Sequence, residues 1–202
     1  MRRIILASLC AAVLCACVGV ESRLAIGNDG SGTLSLDFRV PRDVAAYGRA
    51  DSADLAVPLP VDRADFLRAI EGIPGIRLTR YSRRVNDEQV AIHAVLAFRN
   101  LADLARVPGL RDAGFAFAES GGSHTLTQVV AGPPGAAPTP ESLALIDTLA
   151  AGSAITVVLS TPSPMTPGSV GTLSADRRTL TWTGSLGDLA RRTGSVVLRA
   201  TW

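Results

Sequence analysis

Apolar and polar positions alternate strictly from Thr33 to Val40, where Leu34, Leu36, Phe38 and Val40 fall on one side and Ser35, Asp37 and Arg39 on the other. A period of two predicts a strand with one buried face. Upstream, Val18, Val20, Ser22, Leu24 and Ile26 share one face of a second strand, and Asn28-Asp-Gly-Ser-Gly32 between the two supplies the positive φ values of a tight turn. Residues 18–40 therefore predict a β-hairpin. A second hairpin pairs Ile76–Arg83 with Gln89–Phe98 across Asn86-Asp-Glu88, with Val90, Ile92, Ala94, Leu96 and Phe98 inward. A third joins Gly114–Ala118 to Thr125–Val130 around Gly121-Gly122. Ser153–Ser160, Gly171–Ser174, Thr179–Thr183 and Ser195–Trp202 read as further strands, the first followed by a turn rich in proline (Pro162, Pro164, Pro167).

Helical spacing appears between these runs. Val61–Ile70 places Phe66, Leu67 and Ile70 on one stripe, with Asp62 as N-cap and Gly72 and Pro74-Gly75 as the stop. Asn100–Val107 predicts a short helix ended by Pro108-Gly109, residues 141–151 another carrying Leu143, Ile146 and Leu149 on one side, and Leu186–Arg191 a last short one. Residues 42–60 and 131–140, rich in Pro, Ala, Gly and Asp, read as loops. Hairpins with interspersed helices and no βαβ rhythm predict an α+β fold, a mainly antiparallel sheet of hairpins with a few packed helices.

The amino terminus follows a different pattern. Arg2 and Arg3 precede an apolar run from Ile4 to Val13, too short for a spanning helix, which needs about 20 residues. A basic start, a short apolar stretch and small residues at its end describe a secretory signal. Leu14-Cys15-Ala16-Cys17 resembles the lipobox of bacterial lipoproteins. The resemblance implies cleavage after residue 16, a diacylglyceryl group on the Cys17 thiol and a further acyl chain, such as palmitate, on the new amino terminus. Cys15 is the rival site, but it has no Leu three residues before it. The expected organisation is a signal peptide at 1–16 and a single domain at 17–202, held on the extracytoplasmic side of the membrane through Cys17. Val18 takes the place of the Asp that retains some lipoproteins in the inner membrane, so the outer membrane is the expected address in an organism that has one.

Charge and cysteine content narrow the partners. Removing 16 of 202 residues leaves 186, which suits one domain. All three cysteines, Cys10, Cys15 and Cys17, lie in the signal or at its end, so no disulfide can staple the domain. All twenty basic residues are arginine. Arg2 and Arg3 leave with the signal, so 18 arginines face 18 acids. That balance gives no basic field of the kind nucleic acid requires, and it leaves the acyl chains to hold the membrane.

Catalytic motifs are not apparent. The mature domain has no thiol apart from its anchor, no Gly-x-Ser-x-Gly and only two histidines, His93 and His124. With Glu119 these could make a three-ligand set, yet their spacing matches no known metal motif. Asp51/Asp54, Asp62/Asp65 and Asp87/Glu88 have plain roles in a loop, at a helix start and in a turn. No enzyme activity, metal or cofactor is expected. The sharpest surface feature is Arg77, Arg80, Arg83 and Arg84 around Tyr81, a candidate for anionic headgroups because the planar guanidinium fork matches phosphate and carboxylate. The plainer alternative is an edge strand guarded by charge against aggregation.

Two segments carry a family resemblance. Val18-Gly-Val-Glu-Ser-Arg-Leu-Ala-Ile-Gly-Asn-Asp-Gly-Ser-Gly-Thr-Leu34 runs straight from the anchor. Ala154-Ile-Thr-Val-Val-Leu-Ser-Thr-Pro-Ser-Pro-Met165, Gly168-Ser-Val-Gly-Thr-Leu-Ser174 and Arg178-Thr-Leu-Thr-Trp182 lie near the end. Together they resemble the LppM-type domain of bacterial surface lipoproteins, which implies an exported, lipid-anchored α+β domain that binds lipid or glycolipid. Proteins of that type often carry a transmembrane helix after the domain, whereas here the lipid anchor is expected to be the membrane attachment. Two functions follow as expectations. A lipid-binding module predicts a dry pocket lined by residues such as Leu36, Phe38, Phe66, Ile92, Leu96 and Phe98. A non-catalytic envelope scaffold predicts a filled core and an exposed apolar patch for a protein partner.

Overall fold

The computed structural model describes residues 19–42, 60, 62–131, 153–168, 170–192 and 194–202. The signal segment with Cys17, most of the 42–60 loop, most of the 131–140 loop and the helix expected at 141–151 lie outside them. Among the described residues no helix is long and apolar enough to cross a membrane.

The elements follow the predicted hairpins closely. Strands β1 (Gly19–Ile26) and β2 (Gly32–Pro41) precede helix α1 (Arg63–Ala69), and β3 (Ile76–Val85) and β4 (Gln89–Phe98) precede α2 (Leu101–Leu104) and α3 (Pro108–Asp112). The chain continues through β5 (Ala116–Ser120), β6 (Ser123–Ala131), β7 (Ala154–Ser160), β8 (Thr166–Pro167), β9 (Thr172–Leu173) and β10 (Thr179–Ser185) to α4 (Leu186–Ala190) and β11 (Val196–Thr201). They form a seven-stranded sheet in the order β3-β4-β2-β1-β7-β10-β9 and a four-stranded sheet in the order β5-β6-β11-β8. Every pairing is antiparallel except β1 with β7. The fold class is α+β.

Strand alternation sets the layers. The inner face of the large sheet carries Leu24, Ile26, Leu34, Leu96, Phe98, Val157, Leu159, Leu180 and Trp182. It packs with Leu126, Val196, Leu198 and Ala200 of the small sheet and with Leu101, Leu104 and Val107 from α2 and its surroundings. A second cluster gathers Phe38, Val40, Val90, Ile92 and Ala94 beneath Phe66 of α1. Tyr81 meets Phe66 with ring centroids 5.9 Å apart. Two turns are locked by carboxylates. Asp29 accepts from the Ser31 hydroxyl and amide, and Asp176 from the Ser174 hydroxyl and the Arg178 amide. These bonds hold both carboxyls below the usual aspartate range.

Three local features differ from the sequence pattern, each for a physical reason. Pro108 starts a helix instead of closing one, because proline at the first helical position loses no hydrogen bond there. The proline-rich turn after β7 contains a two-residue strand, β8, that edges the small sheet, whereas β9, at the edge of the large one, falls within the strand expected at Gly171–Ser174. In β3 the register shifts between Leu78 and Arg80, and the bulged Thr79 donates its hydroxyl to the Val95 carbonyl, 3.0 Å away. A bulge re-aims every side chain beyond it.

Helix α2 has only four residues, so its cap should matter. The Asn100 carboxamide oxygen accepts from the Asp103 amide at 2.7 Å, and its nitrogen donates to the Asp103 carboxylate at 3.0 Å. Asn100→Ala is expected to cost about 1 kcal/mol in urea unfolding, and Asn100→Ser, which can still cap, measurably less.

Candidate functional site

The groove on the outer face of the large sheet is built by cross-strand register. One row runs Ser82, His93, Asp37, Glu21, Thr156 across β3, β4, β2, β1 and β7. The next row, nearer the start of β1, runs Arg84, Ala91, Arg39, Gly19, Ala154. Ala91, Gly19 and Ala154 are small, so the floor drops between longer neighbours. The result is an open groove of about 500 Å³ lined by both rows. A Cβ placed on Gly19 would meet nothing within 4 Å, so this part of the floor opens to free space.

Charge in the groove is unevenly matched. His93 Nδ1 lies 2.7 Å from Asp37 Oδ1, and Glu21 is ion-paired with Arg23 on its own strand. Both acids are thus occupied. Arg39 and Arg84 are exposed and form no ion pair among the described residues. Two guanidinium forks are left facing solvent from either side of Ala91.

Among the four arginines singled out in the sequence, strand alternation sets Arg83 apart from Arg80 and Arg84, and the Thr79 bulge brings Arg77 to the side of those two. Arg77, Arg80 and Arg84 stand on the outer face, in register with Ala97, Val95 and Ala91. Arg83 is turned to the inner side opposite Ile92, where its Nε lies 3.7 Å from Asp62 at the start of α1. Only Arg84 reaches the groove. Arg39 and the His93–Asp37 pair, not marked as site residues in the sequence, complete it. Their outward side was legible from the alternation of β2 and β4, but the β2–β4 pairing that brings them together joins strands of separate hairpins.

The two histidines lie in different sheets. His124 of β6 has its Nδ1 3.9 Å from Glu119, and its ring packs in a triangle with Phe117 and Trp202, with centroids 5.8 and 5.6 Å from it and 6.4 Å from each other. Among the described residues no group of three or more His, Cys, Asp or Glu is placed to hold a metal ion. Of the apolar residues expected to line a dry pocket, Phe38, Phe66, Ile92, Leu96 and Phe98 are each buried to 4% exposure or less. Leu36 packs half-buried against both clusters. Side chains of this size interdigitate once two sheets and a helix close over them, which leaves room for a ligand on the polar face.

Fold and groove define an α+β domain of two hairpin-built sheets with an open, half-polar site on the large one. Among solved structures it is similar to the folded domain of LppM from Mycobacterium tuberculosis, determined by NMR. The TM-score is 0.52 at 14% identity, over 91% of this chain and 88% of that one. At that identity the likeness is one of fold, and the fold is of the LppM type that the terminal motifs resemble. No family model matches the chain, and no curated protein matches it in sequence.

Proposed function

We propose that this protein is a lipid-anchored module of the bacterial cell envelope that binds lipid or glycolipid through the outer-face groove. The observation that carries the reading is the position of the groove. Its floor includes Gly19, two residues after Cys17, and two residues span at most about 7 Å. An acylated Cys17 would therefore bring the site to the level of lipid headgroups. The lining fits that role, since a mixed polar and apolar rim suits a headgroup better than it suits an acyl chain.

Binding without chemistry is favoured over hydrolysis. Ser82, His93 and Asp37 follow one another across three strands, but Ser82 is not hydrogen-bonded to His93. An activated nucleophile needs that bond. A scaffold role would use an exposed apolar patch. The large apolar side chains exposed among the described residues are Leu67 and Val85, on α1 and β3 respectively.

The test is the lipid content of the mature protein, purified from membranes and washed in detergent. One lipid class retained in stoichiometric amount, found by mass spectrometry of an organic extract, is the expected result. Protein carrying nothing but its own acyl chains would refute the binding role and make crosslinking to envelope proteins the next step.

A further inference from the structure

We propose that Arg39 and Arg84 form a clamp for a phosphate group, carried either by an anionic lipid headgroup or by a free phosphate compound. The assignment deepens the binding role proposed above and rests on it for the lipid source. The two residues share one register row on β2 and β3, separated by Ala91 of β4. Two strand spacings put their Cα atoms roughly 10 Å apart, close enough for two long side chains to converge over the alanine between them. Ala91 offers no side chain to block that approach.

The chemistry selects phosphate among anions. A carboxylate carries one charge and is satisfied by a single guanidinium fork, whereas a phosphate spreads up to two charges over three oxygens and can take both forks. Neither local acid is paired with the clamp: Asp37 contacts His93 and Glu21 pairs with Arg23. The Asp37 contact also fixes the His93 ring beside it, and Ser82 and Thr156 bring hydroxyls to the same groove. Arg80 and Arg77 continue a basic strip along β3, away from the anchor end of β1.

The test uses the full mature lipoprotein in detergent. Binding is measured calorimetrically for three probes: dihexanoyl phosphatidic acid, inorganic phosphate and dihexanoylglycerol, which lacks phosphate. Expected are binding of the phospholipid, competition by phosphate and no binding of dihexanoylglycerol. Arg39→Gln and Arg84→Gln should each weaken phospholipid binding about tenfold or more. Their melting temperatures should be unchanged, because neither side chain has a partner to lose among the described residues. Arginine-dependent binding of phosphate, without any gain from the lipid tails, would support the clamp and remove the lipid source. Lipid binding that ignores both substitutions, or equal binding of dihexanoylglycerol, would overturn the clamp while leaving lipid binding intact. Binding of none of the three would overturn both.

Discussion

Cys17→Ser, exported behind an ordinary cleavable secretory signal in place of residues 1–16, is expected to shift the protein from the membrane pellet almost entirely to the soluble fraction and to abolish incorporation of labelled palmitate. The argument is energetic. Each buried methylene contributes about 0.8 kcal/mol, one chain of myristoyl length binds only marginally, and two or three chains together hold a protein stably. Loss of the thiol blocks diacylglyceryl transfer, and the substituted signal is cut without it, so neither the acyl chains nor an apolar leader survives. The balanced charge of the mature chain, 18 arginines against 18 acids, provides no strong electrostatic attraction to compensate. Cys15→Ser is the control and should leave both fractionation and label unchanged. A Cys17→Ser protein that still pellets after an alkaline wash and still carries label would show that the anchor has been assigned to the wrong residue.

The same substitution bears on the groove. Because Gly19 is within about 7 Å of Cys17 along the chain, the proposed anchor would make headgroup capture a local event with a high effective concentration. Released protein would meet lipid only by diffusion. On the proposed reading, a clamp made of two exposed arginines, weak as a free receptor, would be adequate because the ligand is supplied at the surface that holds the anchor.

How much of this was legible in the sequence depends on the range of the interaction. Strict alternation in Thr33–Val40 and Gln89–Phe98 placed β2 and β4 and named their buried sides, because period two is a local property of extended chain. The turns at Asn28-Asp-Gly-Ser-Gly32 and Gly121-Gly122 were equally local: Gly30, Gly121 and Gly122 do take positive φ. Pairings between distant segments were not legible. Nothing in Gly19–Ile26 announces a parallel partner at Ala154–Ser160, and nothing separates the strands into two sheets. The site lay beyond reach for the same reason. Arg39 and Arg84 are 45 positions apart and meet only through β4. The run around Arg77–Arg84 looked like one basic cluster, but alternation sets Arg83 on the opposite face from Arg80 and Arg84, and an unmarked bulge at Thr79 brings Arg77 to their side.

Leu180→Ala should have the largest effect on stability, about 2–5 kcal/mol, a fall in melting temperature on the order of 10 °C for a chain of this size. Leu180 is fully buried and lies in register with Leu159 of β7 and Leu173 of β9. The Gly171 backbone packs so closely over it that a Cβ there would come within 2.8 Å of the Leu180 side chain. A cavity at that point cannot easily collapse, since β7 is fixed on its other edge by β1, and costs rise with the volume left empty. Val85→Ala, at a side chain 47% exposed, should change the melting temperature little. The contrast with the groove is the stronger check. Leu180 stands on the inner face of the sheet and Arg39 on the outer, so Leu180→Ala should lower stability while phosphate affinity, measured well below the new melting temperature, stays close to wild type. Arg39→Gln should do the reverse. If the two effects cannot be separated in this way, the groove is not an independent surface of the sheet, and its arginines serve the fold.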